Sequence, residues 1–282
     1  MMNRLGVLGN PLGHSISPQM HNAALEALNM TDWTYELVET TYEQLDGTIK
    51  RLAREFQGFN VTIPYKEKII PWLDGIDRYA RAAGAVNTVK VDDGCLFGTN
   101  TDGRGYLKSL EDRGIDVTGM KVLILGSGGA ARGVSTAMGL SGAGSINISS
   151  RKKERGMRLV HILKALKVQS SWLDFANLGK RNIGSYDLIV NTTPVGMMPH
   201  DGELLTFPYD LLESRQVLSD LIYRPQNTRF LQEGTKRGLT TVDGLGMLLH
   251  QGALAFSHWT GQEAPLDVME QALTDALRGP QE

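Results

Sequence analysis

Lys121-Val-Leu-Ile-Leu125, followed at once by Gly126-Ser-Gly-Gly-Ala-Ala-Arg-Gly133, decides the fold. The unbroken apolar run predicts a strand buried on both faces, as in a parallel sheet. The glycines allow a sharp turn and bring backbone N–H groups close to a phosphate. The small residues after them let a helix start near the strand, its positive end toward a pyrophosphate. A glycine-rich loop without a ligand is the competing reading. The strand–turn–helix context favours a dinucleotide-binding α/β unit.

The next strand bears on which dinucleotide. Ser145-Ile-Asn-Ile-Ser149 begins about twenty residues after the first glycine, where the second strand of such a unit belongs. Chains that select NAD place Asp or Glu at its end to accept the ribose 2′-hydroxyl. Here the end reads Ser149-Ser150-Arg151-Lys152-Lys153-Glu154-Arg155, and the nearest acid follows three cations. A guanidinium fork suits a 2′-phosphate, and Ser150 offers a hydroxyl. The segment points to NADP. Its bland alternative is a solvated basic loop.

The chain has 282 residues and a net charge of −2, enough for two cored domains and no bulk attraction to nucleic acid or a membrane surface. One cysteine, Cys95, excludes an internal disulfide and argues for a reducing compartment. The histidines (His14, His21, His161, His200, His250, His258) show no metal-ligand spacing, and no metal is expected. No apolar run is long enough to span a bilayer, and the N-terminus reads directly as a strand. The expectation is a cytoplasmic α/β protein.

Around the glycine loop, strands and helices alternate. Strands are expected at 5–8, 34–38, 58–63, 85–91 and 95–98, with helices at 18–28, 42–55, from Lys66, 77–82 and 101–113. The second half adds strands at 186–190, 216–220 and 239–242, making a parallel sheet covered by helices. The apolar helix at 246–256 is expected to cross back to the first domain.

Four polar clusters lie in the first half. Ser15-Ile-Ser17-Pro18 puts two hydroxyls before a helix, suited to a carboxylate or to capping. Asn60-Val-Thr62-Ile-Pro64-Tyr-Lys66 ends a strand and leaves Lys66 at its C-terminal edge, where open sheets bind ligands. Gly84-Ala-Val-Asn87-Thr88 places an amide among small residues, and Gly98-Thr-Asn100-Thr-Asp102-Gly103 leads into a helix that Asp102 could cap. A lysine and an aspartate beside one substrate oxygen form an acid–base pair. A positioned ammonium can protonate the alkoxide left by hydride transfer to a ketone. Spacing alone does not show that Lys66 and Asp102 meet.

The chain resembles the shikimate dehydrogenase family. The motifs that carry the resemblance are Gly9-Asn-Pro-Leu-Gly-His-Ser-Ile-Ser-Pro18, Asn60-Val-Thr-Ile-Pro-Tyr-Lys66, Gly84-Ala-Val-Asn-Thr88, Asn100-Thr-Asp-Gly103, Gly126-Ser-Gly-Gly-Ala130, Asn191-Thr-Thr-Pro-Val-Gly-Met197, Asp220-Leu-Ile-Tyr-Arg-Pro225 and Asp243-Gly-Leu-Gly-Met-Leu-Leu-His-Gln251. Each is short; their joint order spans nearly the whole length. The resemblance implies a substrate-binding α/β domain over 1–103 and a Rossmann-like NADP-binding domain over 104–242. It also implies a helical segment over 243–282 that packs back on the substrate domain.

It implies reversible reduction of 3-dehydroshikimate to shikimate with NADPH, by a monomer or homodimer. Lys66 and Asp102 would be the catalytic pair, with Ser15, Ser17 and Tyr223 on the substrate carboxylate. Thr62, Asn87 and Gln251 would meet ring hydroxyls. Gly126, Ser127, Gly128, Gly129 and Ala130 would hold the pyrophosphate, and Ser150, Arg151 and Arg155 the 2′-phosphate. Thr192, Leu221, Gly244 and Met247 would line the ribose and nicotinamide path. Where the family commonly shows Asn-Arg-Thr after the second strand, this chain has Ser150-Arg151-Lys152. Relatives that take quinate, some of them with NAD, supply the alternative reading. Another lysine-dependent Rossmann enzyme or a non-catalytic NADP-binding regulator would not require all of these residues.

Overall fold

The computed structural model describes residues 2–13, 15–180 and 183–278, so His14 and residues 279–282 of the segments above lie outside the described residues. The chain divides into two compact units, residues 1–105 with 249–282, and residues 106–248.

The first unit holds β1 (Asn3–Gly9), α1 (Ser17–Ala27), β2 (Trp33–Glu39), α2 (Leu45–Glu55), β3 (Gly58–Val61), β4 (Gly75–Ile76), α3 (Arg78–Ala83), β5 (Thr88–Asp92) and β6 (Cys95–Thr99). Its sheet runs β2-β1-β3-β5-β6-β4. The pairs β1–β2 and β1–β3 are parallel, and β5 is antiparallel to both β3 and β6. Leu45, Ile49 and Leu52 give α2 one apolar stripe, which packs with Leu8, Phe59 and Tyr65. Chain order reverses between β1 and β3. The loops after these two strands therefore diverge and leave a crevice at their C-terminal ends. Those loops carry Ser15 and Lys66.

The second unit holds β7 (Lys121–Leu125), α5 (Gly129–Leu140), β8 (Ser145–Ser150), α6 (Lys153–Ala165), β9 (Gln169–Asp174), β10 (Leu188–Asn191), β11 (Val217–Asp220), α7 (Arg229–Lys236) and β12 (Thr240–Val242). All its strand pairs are parallel, in the order β12-β11-β10-β7-β8-β9. Val122 and Ile124 face one core with Val134 and Ile146, while Leu123 and Leu125 face another with Ile189, Leu218 and Phe230. Burial on both faces explains the unbroken apolar run. Order reverses between β7 and β10, which puts the crevice of this sheet beside Gly126. The helix α4 (Asp102–Glu111) begins in the first unit and continues in the second; α8 (Leu245–Thr260) begins in the second and continues in the first, where α9 (Leu266–Arg278) follows. Among the described residues no helix is long and apolar enough to cross a membrane.

Several local expectations need correction. The helix expected from Tyr42 begins at Leu45, because Tyr42 is exposed and Leu45 is the first residue of the buried stripe. The strand expected to reach Ile63 ends at Val61; the Thr62 N–H still donates to Leu8 O at 2.8 Å, but Ile63 turns outward and Pro64 has no N–H to give. The helix expected from Lys66 is a run of turns ending in a single 3₁₀ turn, Ile70–Trp72, with Pro71 inside it. Asn87, expected inside a strand, sits in the bend just before β5. Two strands, β4 and β9, were not anticipated: one has two residues, and the other, Gln169-Ser-Ser-Trp-Leu-Asp174, is mostly polar.

Candidate active site

In the first unit, the ammonium of Lys66 lies 2.6 Å from Asp102 Oδ2. Backbone contacts on either side hold the lysine. Tyr65 is buried and donates its hydroxyl to Thr40 O at 2.6 Å, while Val86 N donates to Lys66 O at 2.7 Å. The side chain emerges half-buried, against the expectation for a merely solvated lysine. Asp102 is the first residue of α4. Its N–H is taken by Asn100 Oδ1 at 3.1 Å, and Asn100 is tied by its amide to Ala85 O. The Asp102 carboxylate turns instead to Lys66 and to Asn87, whose Nδ2 donates to Oδ1 at 2.7 Å.

Asn87 is buried, and both ends of its amide are engaged. Its Oδ1 accepts from Thr101 N at 2.7 Å and from Thr88 Oγ1 at 3.0 Å. That fixes which way round the amide lies, with Nδ2 toward Asp102 and toward Gln251 Oε1 at 3.4 Å. Gln251 comes from α8, and Gly105 of α4 makes room for it: a side chain there would strike the Gln251 backbone. Thr62 is half-buried one residue beyond β3. The structure thus brings Lys66, Asp102, Asn87 and Gln251 into one connected polar cluster. Asn100, Thr101 and Thr88 complete it; they stand within the polar motifs of the sequence, which assign them no role. The offset of Asn100 from the helix start was the available signal for one of them.

Ser15 and Ser17 precede and open α1. The cap position is Ile16, which has no side-chain hydrogen bond to offer, and Pro18 occupies the first turn. Ser15 Oγ is 3.4 Å from Ser17 N, and both serines are half-buried. Pro18 has no N–H, Met20 N donates to Ile16 O at 3.4 Å and the Ser17 hydroxyl meets the Tyr35 phenol, so what the start of α1 offers an anion is its positive end and the two hydroxyls beside it. Ser15→Ala and Ser17→Ala are each expected to raise KM for a carboxylate substrate with kcat little changed, since a carboxylate contact is made in ground and transition states alike. A lost hydrogen bond to a charged group costs about 1.5–3 kcal/mol. Steady-state kinetics giving a parental KM for both variants would return the serines to a helix-start role.

In the second unit, Gly126 leaves β7 with φ +122°, and a Cβ there would strike Thr192 Oγ1. Thr192 itself comes off β10 and donates its hydroxyl to Leu125 O at 2.8 Å. Gly128 is the cap of α5 and supplies no side chain; beside Gly128 and Gly129 there is open space where side chains would stand. Ser127 precedes the cap, and Ala130 is the second residue of α5. These features fit a pyrophosphate held by backbone N–H groups. Arg151 and Arg155 are exposed beyond the end of β8. Ser150, expected as a hydroxyl donor there, is buried: its Oγ donates to Lys152 O at 3.2 Å and accepts from Trp172 Nε1 at 3.1 Å. The hydroxyl already has partners within the chain, so the two guanidinium groups are the exposed members of that set. Leu221 and Met247 pack partly buried against one core. Gly244 N donates to Ile222 O at 3.1 Å. Tyr223 lies half-buried on the loop after β11, where burial holds its phenol above the ordinary range and in its neutral, hydrogen-bonding form.

Comparison with known proteins places these two clusters in a family. The profile described as shikimate dehydrogenase substrate binding domain matches residues 7–89, and the profile described as shikimate 5′-dehydrogenase C-terminal domain matches residues 244–274. A protein of Methanopyrus kandleri named shikimate dehydrogenase (NADP(+)) is 42% identical over 281 residues, covering 98% of this chain and 96% of its own. The crystal structure of shikimate 5-dehydrogenase from Listeria monocytogenes, in complex with shikimate and NAD, superposes with a TM-score of 0.91 at 35% identity and covers 96% of each chain. The Thermus thermophilus enzyme, in complex with NADP(H) and shikimate, gives a TM-score of 0.87 at 38% identity, covering 98% of this chain and all 100% of its own. With identity of this degree running through both units, the chain belongs to the shikimate dehydrogenase family.

Proposed function

We propose that this protein catalyses the reversible NADP-dependent reduction of 3-dehydroshikimate to shikimate, an oxidoreductase reaction at a CH–OH group on the route to chorismate and the aromatic amino acids. The observation that carries this reading is the half-buried Lys66–Asp102 ion pair at 2.6 Å, held by Asn87 and bordered by Gln251. NADP(H) supplies or accepts the hydride when bound. Lys66 gives a proton from Nζ to the oxygen of the new alkoxide and takes it back in the oxidative direction. Asp102 holds Lys66 in place through Oδ2, while Asn87, Thr62 and Gln251 receive the ring hydroxyls. Ser15 and Ser17, with Tyr223, hold the carboxylate.

The substrate is assigned to residues 1–103 with the returning segment 243–282, and the cofactor to residues 104–242. Gly126–Ala130 carry the pyrophosphate, Arg151 and Arg155 the 2′-phosphate, with Ser150 beneath them; Thr192, Leu221, Gly244 and Met247 line the path to the nicotinamide. The protein acts in the cytoplasm as a monomer or homodimer. NADP reduction followed spectrophotometrically with shikimate, then with quinate, and with NAD in parallel tests the whole reading. Preference for quinate and NAD would overturn it.

The 2′-phosphate assignment has its own test. Arg151→Ala is expected to raise KM for NADP by about ten- to a hundredfold and to leave NAD nearly unchanged, matching one charge-assisted contact. Equal losses for both dinucleotides would remove Arg151 from that role.

A further inference from the structure

Asp220 has no part in the chemistry above, yet both of its carboxylate oxygens are engaged by donors from three different elements. It ends β11 and is completely buried. Oδ1 accepts from Asn191 Nδ2 at 3.1 Å and from Ile222 N at 3.1 Å, and Oδ2 accepts from Thr228 Oγ1 at 2.7 Å. Those donors come from the end of β10, the loop after β11 and the cap of α7. Among the described residues no cation pairs with it, and burial pushes its pKa up to about 6. Burying a lone carboxylate is costly unless fixed donors replace its water.

The donors lead outward to the loops assigned to the cofactor. Asn191 uses its Oδ1 to accept from Thr193 N at 2.9 Å and Thr193 Oγ1 at 2.7 Å, which sets the backbone around Thr192. Leu221 N donates to Asn191 O at 3.1 Å, and Gly244 N to Ile222 O at 3.1 Å. One carboxylate therefore braces the turns that follow three neighbouring strands, β10, β11 and β12. A carboxylate is suited to this because it only accepts, and all three of its partners donate.

We propose that Asp220 is a positioning residue for the nicotinamide end of the cofactor, holding Thr192, Leu221 and Gly244 in one arrangement through Asn191, Ile222 and Thr228. The proposal rests on the reading that these loops line the cofactor path. It differs from the Arg151 assignment in a measurable way. Arg151 meets a group that only NADP has, whereas the nicotinamide end is common to NADP and NAD.

The test is fluorescence titration of NADPH and NADH binding to the full-length protein and to Asp220→Asn, with thermal melting to establish folding. The amide puts a donor where one of three donors needs an acceptor. Both dissociation constants are expected to rise together by about tenfold, leaving their ratio at the parental value. Thr228→Val, which removes the donor to Oδ2, is expected to weaken both severalfold, with Thr228→Ser near the parent. A folded Asp220→Asn with parental dissociation constants, or one that loses NADPH alone, overturns the proposal. Should Asp220→Asn fail to fold, the Thr228 pair decides: parental binding by Thr228→Val overturns it. Absence of NADPH binding to the parent would instead overturn the cofactor reading itself.

Discussion

Lys66→Ala is expected to lower kcat by about 10²–10⁴-fold, the usual contribution of a positioned general acid or base, with NADP affinity little changed. The lysine is fixed on both sides, by the buried Tyr65 and by the Val86–Lys66 backbone bond. Removing its side chain should therefore delete the ammonium without moving the turn. Lys66→Arg should rescue poorly. A guanidinium cannot give up its proton at working pH, and its planar fork does not fit a contact that places one nitrogen 2.6 Å from one carboxylate oxygen. The measurement is kcat and KM in both directions, with a melting temperature for each variant. Full activity in Lys66→Ala would sink the acid–base role, and a drop in melting temperature with normal kcat per folded molecule would mark the pair as structural.

Asp102→Asn is expected to slow turnover by about 10²-fold or more, again without loss of NADP affinity. The geometry makes this substitution far from conservative. Both carboxylate oxygens face donors, Lys66 Nζ on one side and Asn87 Nδ2 on the other. An amide must point its own NH₂ at one of them. Asn87 cannot turn to accommodate it, because its Oδ1 is taken by Thr101 N and Thr88 Oγ1. One donor is left facing another in a largely buried place, which costs about 1–3 kcal/mol of stability. The variant should melt lower and also turn over slowly when folded. Kinetics corrected for the folded fraction separate the two effects; a normal corrected kcat would leave Asp102 with a structural role alone.

Reading the chain residue by residue carried furthest where local rules leave few choices. The apolar run before Gly126 reads as a strand buried on both faces, and the structure puts alternate residues into two cores. The strands expected around 85–91 and 95–98 are found as β5 and β6, antiparallel neighbours. The misreadings fell where tertiary contacts override pattern. Polar β9 is a strand because β8 lies beside it, supplying partners for its backbone N–H and C=O groups. Ser150 looked like a free hydroxyl because nothing local reveals Trp172, which arrives from β9 to bond it.

The order of motifs along the chain was enough to assign the family resemblance, the α/β class and the lack of an acid where NAD selection needs one. What it could not decide is who meets whom. Lys66 and Asp102 are 36 positions apart, and Asn87 and Gln251 are 164 apart. Only the reversal of strand order between β1 and β3, with α8 running back into the first unit, brings such residues within hydrogen-bond reach. The physical reason is that backbone propensity and hydrophobic period act over a few residues. A polar cluster of this kind is assembled by sheet register and helix packing, which are settled only when the whole unit has closed around its core.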